Sequence, residues 1–275
     1  MINGNTELIA HIGFPTHSFK SPLIYNPYFK SVGVNAVVVP FSCQAEQYPA
    51  FFRSILSLGN VRGALITMPH KVSTLALLDE ISPAAQIAGA CNAVKRKADG
   101  QLVGDMFDGE GFVRGLKRKG CKVAGAKVFI VGTGGVGCAI AASFAAAGAD
   151  VIALFDTNPA SAEVLRDRLL QHYPALKIAI GSNNPAGFDI AVNATPLGMN
   201  IGDPLPVDVN LLSPDTFVGE VVMRDEMTGF LKAAAARGCR YQVGTDMLFE
   251  QIPAYLEFFG FPSTSAEQLR ALAQI

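Results

Sequence analysis

The stretch Val128-Phe129-Ile130-Val131-Gly132-Thr133-Gly134-Gly135-Val136-Gly137, with Asp156 downstream, decides the fold of this chain. A short β-branched run enters a turn with glycines at its first, third and sixth positions, and an Ala-rich segment from Cys138 to Ala147 leaves it with helical character. In such a strand–turn–helix the first glycine permits the tight turn and the second lets the backbone approach a pyrophosphate. The third allows close packing of helix on strand. The exposed amides of the helix start favour negative charge. The next predicted strand, Val151 to Phe155, ends at Asp156, where a carboxylate can accept hydrogen bonds from an adenosine ribose. A glycine triplet alone is a weak signal. Strand, triplet, helix, strand and terminal acid in order predict a dinucleotide-binding unit, with Thr157 beside the acid. Because the acid repels a 2′-phosphate, NAD is expected over NADP, with NADP possible.

Composition agrees. The chain has 275 residues, half of them hydrophobic and 16% charged, which is enough to bury one large or two medium cores. A net charge of −1 gives no electrostatic footprint for nucleic acid or an anionic membrane. No apolar run reaches bilayer length, and the polar start Met1-Ile2-Asn3-Gly4-Asn5 lacks the apolar stretch of a signal peptide. The five cysteines (Cys43, Cys91, Cys121, Cys138 and Cys239) are scattered and form no CxxC pair. They read as reduced core residues of a cytoplasmic protein, and the four histidines show no ligand spacing, so no metal is expected.

Working outward from the glycine turn, strands and helices alternate. Before it, strands are predicted at Leu8–Gly13, Val34–Val39 and Ala64–Thr67. A helix opens at Ser21-Pro22, with Ser21 as its cap, and another runs over Glu46–Leu58. A helix-like stretch begins at Pro83. Two short strands, Ala93–Lys97 and Gln101–Gly104, flank the turn Asp99-Gly100, and a helix runs from Asp108 to Lys119. After Asp156 come a helix over Pro159–His172 and strands at Lys177–Ile180, Ile190–Asn193, Phe217–Val222 and Arg240–Val243. The remaining helices are predicted at Thr228–Arg237, Asp246–Phe259 and Ser265–Gln274. This alternation predicts an α/β protein of two α/β domains with a cleft between them. One, over 1–107 and 244–275, carries a mostly parallel sheet and is expected to be the substrate domain on the resemblance given below; the other, over 108–243, is the Rossmann-type dinucleotide-binding domain.

Several short segments then fall in order along nearly the whole chain. They are His17-Ser18-Phe19-Lys20-Ser21-Pro22, Leu65-Ile66-Thr67-Met68-Pro69-His70-Lys71, Ala88-Gly89-Ala90-Cys91-Asn92 and Gly104-Asp105-Met106-Phe107-Asp108-Gly109, ahead of the glycine turn. Asn193-Ala194-Thr195-Pro196-Leu197-Gly198 and Gly244-Thr245-Asp246-Met247-Leu248 follow it. The ordered set resembles the shikimate dehydrogenases. That resemblance implies reversible reduction of 3-dehydroshikimate, or of a related cyclic hydroxy acid such as the quinate series, by a nicotinamide cofactor. It places a Lys–Asp pair at the reacting alcohol, here Lys71 and Asp108. One group must move the hydroxyl proton as hydride leaves, and a lysine amine can do so as general acid or base. The resemblance also places Ser18, Ser21, Thr67, Asn92 and Gln251 on the substrate, and Asn193, Thr195, Val221 and Gly244 on the cofactor. Read without it, Lys71 is a solvated turn lysine, Asp108 a helix cap, Asn92 a turn residue and Gln251 a helix-surface residue.

The departures bear on substrate identity. Phe19-Lys20 separates Ser18 from Ser21 by a residue more than the family's S-x-S pair, and Leu65, Phe107 and Met223 stand at polar family positions. Lost hydrogen bonds to a polyhydroxylated acid weaken it as a substrate. Two other readings follow: a catalytically silent NAD-binding sensor of the same fold, and a dehydrogenase for a different, less polar hydroxy acid. The retained Lys71, Asp108, Asn92 and Gln251 weigh against a sensor. The expected partner is a small-molecule hydroxy acid, with the protein a monomer or homodimer that engages neither nucleic acid nor membrane.

Overall fold

The computed structural model describes residues 2–223 and 227–275. The chain divides into two compact units: residues up to Phe107 together with Ile252–Ile275, and Asp108–Gln251.

The first unit contains β1 (Glu7–Gly13), α1 (Ser21–Ser31), β2 (Ala36–Ser42), α2 (Tyr48–Leu56), β3 (Val61–Ile66), β4 (Glu80–Ile81), α3 (Pro83–Ala88), β5 (Ala93–Arg96) and β6 (Leu102–Asp105). Its sheet runs β2-β1-β3-β5-β6-β4. β1 lies parallel to both β2 and β3, whereas β5 is antiparallel to β3 and β6. The antiparallel β5–β6 pair follows from Asp99-Gly100: a connection this short can only reverse the chain. Ala10, Ile12, Ala64 and Ile66 of the central strands pack with Tyr48, Phe52 and Leu56 of α2 in one buried cluster. On α1 the buried residues are Ile24, Tyr25, Tyr28 and Phe29. Ser21 is the first helical residue, and Lys20, not Ser21, holds the cap position with no side-chain cap bond.

The second unit contains α4 (Asp108–Arg118), β7 (Lys127–Val131), α5 (Gly135–Ala146), β8 (Val151–Phe155), α6 (Pro159–His172), β9 (Lys177–Ile180), β10 (Ile190–Asn193), β11 (Phe217–Glu220), α7 (Gly229–Ala236) and β12 (Tyr241–Gln242). Its strands run β12-β11-β10-β7-β8-β9, every neighbouring pair parallel. From the other edge this is the doubly wound dinucleotide-binding order, whose direction switches between β7 and β10. β7 is a continuous apolar run from Val128 to Val131, as a strand covered on both faces requires. α5 is buried from Gly137 to Ala145, so its small side chains let it lie close on the sheet. α8 (Gly244–Phe259) starts earlier than expected, at Gly244, and the division into units falls within it. α9 (Ala266–Leu272) is capped by Ser265, whose side chain accepts from the Gln268 amide.

Among the described residues no helix is long and apolar enough to cross a membrane. All five cysteines are free and buried.

Candidate active site

In the second unit the candidate cofactor residues gather at the carboxyl ends of β7, β8, β10 and β11, where open α/β sheets bind ligands. Gly132 has φ +95°, in the left-handed region, and a side chain there would meet Ala194 and Thr195 at 2.8 Å. A Cβ at Gly137 would sit 2.1 Å from the Gly132 carbonyl oxygen, so only glycine allows α5 this close to the turn. Gly134 is different: a Cβ there meets nothing within 4 Å. The space before the helix start is open on the protein side, which fits the pyrophosphate of a dinucleotide.

Asp156 follows β8 directly. Its Oδ2 accepts the Thr133 amide at 2.7 Å and the Thr133 hydroxyl at 2.9 Å, and its Oδ1 accepts the Asn158 amide at 2.9 Å. Burial raises its carboxyl, but these bonds and one from the Thr157 side chain outweigh it and hold the group below its ordinary value, ionised at neutral pH. Donors and charge suit a ribose diol, so the residues present fit the adenosine end of NAD.

Asn193, fully buried at the end of β10, organises the loop after it. Its Oδ1 accepts the Thr195 amide at 3.0 Å and the Thr195 hydroxyl at 2.6 Å, while its Nδ2 donates to the Leu197 carbonyl at 2.9 Å. Asn193 also hydrogen-bonds Glu220, the last residue of β11. Glu220 is 1% exposed, and its Oε2 accepts the Thr228 hydroxyl at 2.8 Å. Burial pushes its carboxyl up to about 7, against the opposing effect of those two bonds. Thr228 in turn caps α7 by accepting the Leu231 amide. One buried carboxyl thus ties the Asn193 loop to the start of α7. Glu220 is not legible in the sequence, because a single acid ending an apolar strand carries no motif of its own.

Also in this unit, Asp108 is the first residue of α4 and only 6% exposed. Gln251 packs against α4 at Gly111, where a Cβ would come within 2.6 Å of the Gln251 Cβ. Its Oε1 is buried without a hydrogen-bond partner among the described residues, unlike the helix-surface glutamine that its position alone would predict. Gly244 begins α8 against the Val221–Val222 backbone, where a Cβ would be 2.2 Å from the Val222 carbonyl oxygen. Arg118 pairs with Glu250, and Lys119 reaches Asp246 at 2.8 Å, so α4 and the first turns of α8 are joined by ion pairs.

In the first unit Thr67, Lys71 and Asn92 are brought together through the backbone at the end of β3. The Thr67 amide donates to Ile12 at 3.0 Å, and the His70 amide donates back to Thr67 at 2.9 Å. The Lys71 carbonyl accepts the Cys91 amide at 2.8 Å, and the Asn92 carbonyl accepts the Ile66 amide at 2.9 Å. Asn92 Oδ1 accepts the Phe107 amide at 2.9 Å, which holds the residue preceding Asp108 in the chain. His70 buttresses this turn: it is 1% exposed, stacks on Tyr48 at 3.9 Å, and its Nε2 lies 2.8 Å from the Cys43 carbonyl. Ser18 is exposed and Ser21 half-buried. Between them, Phe19 stacks on His11 with ring centroids 4.0 Å apart. Phe107 packs edge-on against Tyr255 and Phe258, and Leu65 is 4% exposed, whereas Met223 in the other unit is 51% exposed. Phe107 therefore does packing work in its own unit.

A family profile described as "Shikimate dehydrogenase substrate binding domain" matches residues 12–94. A shikimate dehydrogenase (NADP(+)) of Rubrobacter xylanophilus is 36% identical over 257 residues, spanning 91% of this chain and 89% of that protein. Among solved structures, shikimate 5-dehydrogenase from Listeria monocytogenes in complex with shikimate and NAD superposes with a TM-score of 0.91 at 28% identity, covering 98% of this chain and 97% of that one. A ligand-free 5-ketofructose reductase of Gluconobacter sp. strain CHM43 is also similar, with a TM-score of 0.88 at 28% identity and coverage of 98% and 99%. The glycine turn on a doubly wound sheet, the Thr67–Lys71 turn tied to Asn92, and identity sustained over nine-tenths of the sequence have one common explanation: the chain belongs to the shikimate dehydrogenase family.

Proposed function

We propose that this chain is an NAD(P)-dependent oxidoreductase that interconverts a ring secondary alcohol and its ketone in shikimate, quinate or a related cyclic hydroxy acid, as in the reduction of 3-dehydroshikimate. The nicotinamide cofactor, when bound, supplies or accepts the hydride. Lys71 moves the hydroxyl proton, and Asp108 orients the alcohol and supports the lysine's charge. Asn92, Thr67, Ser21 and Ser18 hold ring hydroxyls and the carboxylate, and Gln251 offers its otherwise unpartnered carboxamide oxygen to a substrate hydroxyl. Gly132 to Gly137 cradle the pyrophosphate, and Asp156 with Thr157 takes the adenosine ribose. Asn193, Thr195, Val221 and Gly244 frame the cofactor's other end.

The observation that carries this reading is the convergence of Thr67, Lys71 and Asn92 through backbone bonds at the end of β3. That arrangement supports a site in which a lysine amine lies beside polar contacts to a ring. NAD is the preferred cofactor in this reading. Asp156 is ionised, and its four donors include the rotatable Thr133 and Thr157 hydroxyls, which can turn away to admit a ribose diol but cannot neutralise a 2′-phosphate. The enzyme works in the cytoplasm as a monomer or homodimer, in keeping with its buried free thiols. Incubating the protein with shikimate, quinate and other cyclic hydroxy acids, each with NAD and with NADP, and following reduced nicotinamide by absorbance tests the whole reading. Cofactor binding without turnover of any of them would refute this reading.

A further inference from the structure

His11 sits near the end of β1, two residues before the turn that carries Phe19, and nothing above gives it a role. Its register pairs it with Leu65 on β3, so in this parallel pair the two side chains share one face of the sheet. Leu65 leads into the Thr67–Lys71 turn. The end of β1 is fastened to that turn by the Thr67 amide on Ile12 and the Phe14 amide on Met68, both at 3.0 Å. A Cβ at Gly13 would touch Thr67 at 2.4 Å and Phe19 at 2.9 Å, so Phe19, Thr67 and the strand end form one cluster. In that cluster the imidazole is 8% exposed, covered by the Phe19 ring, and its Nδ1 is buried without a hydrogen-bond partner among the described residues.

A buried polar atom with no partner is costly to the folded state. Such an atom in a native fold calls for an explanation, and a ligand group that satisfies it is one. The imidazole gains nothing by charging: burial first, then the charge of Lys71, lowers its pKa to about 4. At neutral pH the ring is neutral and offers no cation to a carboxylate, yet it remains a hydrogen-bonding group for a hydroxyl. Of the neighbours described, Phe19 rides on a turn whose Phe14, Pro15, His17, Ser18 and Lys20 are exposed, so it is the one able to give way.

We propose that His11 is a specificity-determining residue that reads a ring hydroxyl of the substrate through Nδ1, with Phe19 as the movable cover, in the part of the site where Leu65 offers no polar contact. The proposal rests on the functional reading above, because it needs a polyol ring seated beside Lys71. It assigns His11 a neutral hydroxyl and leaves the carboxylate to other groups.

The experiment compares wild type with His11→Leu, which removes the hydrogen-bonding atom, and His11→Asn, which places an amide near the Nδ1 position. KM and kcat are measured for shikimate and for its mono-deoxy analogues, KM for the nicotinamide cofactor, and Tm by calorimetry. His11→Leu is expected to raise KM for shikimate about three- to tenfold, with kcat within about threefold of wild type, cofactor KM unchanged and Tm not lowered. His11→Asn should recover most of the loss. The penalty should vanish for the one deoxy analogue that lacks the hydroxyl read by His11. An unchanged shikimate KM in His11→Leu overturns the assignment. So does a KM defect of equal size on every analogue accompanied by a fall in Tm, which marks a packing role. If His11→Leu does not fold, His11→Phe, which keeps a ring but no nitrogen, takes its place: a KM rise that vanishes for one deoxy analogue supports the assignment, and wild-type discrimination among the analogues overturns it. Failure of wild type to turn over any of these compounds overturns the functional reading, and this inference with it; turnover without a His11 effect overturns this inference alone.

Discussion

Replacing Glu220 by glutamine should change how the stability of the dinucleotide-binding unit responds to pH. In the folded chain its carboxyl is raised by burial from 4.5 to about 7. In the unfolded chain it returns to the ordinary range. Between those values the folded state holds a proton that the unfolded state has released, so stability falls as pH rises through the window. The contribution is fully present below about pH 4.5 and is lost above about pH 7. Each pKa unit is worth about 1.36 kcal/mol, which gives a total of up to about 3 kcal/mol. In a unit of this size that corresponds to roughly 5–10 °C in Tm. Glutamine keeps an acceptor for the Thr228 hydroxyl but cannot ionise, and any mismatch with Asn193 adds an offset that does not vary with pH. Calorimetric Tm values of wild type and Glu220→Gln from about pH 5 to about pH 8 therefore isolate the carboxyl, because all other titrations are common to both. The difference should grow steadily in favour of the variant as pH rises. Parallel curves would refute the reasoning.

Three further outcomes are expected. Lys71→Ala should lower turnover by at least about 100-fold, with the fold and cofactor affinity near wild type, as expected for loss of a general acid–base group; Asp108→Asn should be similarly severe, and full activity in the Lys71 variant would remove it from the mechanism. Gly134→Ala should weaken NAD binding in a fluorescence titration without lowering Tm, since its Cβ meets no protein atom, whereas Gly137→Ala should cost about 1–3 kcal/mol of stability or more by driving α5 off the turn. Wild type should show a higher kcat/KM with NAD than with NADP, and Asp156→Ser or Asp156→Arg should move that ratio toward NADP by about tenfold or more, as expected for removing a charge repulsion of about 1–4 kcal/mol; an NADP-preferring wild type would show that Asp156 does not face the ribose.

Much of the candidate site was legible in local sequence because its chemistry is local. The glycine turn needs a particular backbone at Gly132 and a particular closeness at Gly137, and both requirements are met by residue type within a few positions. Lys71 and Asn92 were legible only as members of an ordered set of short segments. His11, Glu220 and Phe107 were not. His11 reads as one polar residue in a β strand, Glu220 as the acid that ends another, and Phe107 as a lost polar contact. Each takes its meaning from residues far along the chain: His11 from Phe19 and Lys71, Glu220 from Asn193 and Thr228, Phe107 from Tyr255 and Phe258.

By itself, then, the sequence determined the alternation of strands and helices, the dinucleotide-binding turn and the acid that follows β8, because periodicity and turn chemistry act over a few residues. Tertiary structure alone decided the strand order that sets Gly132 beside Ala194, the mixed sheet of the first unit, the burial that drives Glu220 up to about 7, and the cover of Phe19 over His11, whose Nδ1 has no partner among the described residues. Burial and desolvation belong to the packed ensemble of distant side chains, and no stretch of sequence carries them until the chain has closed around it.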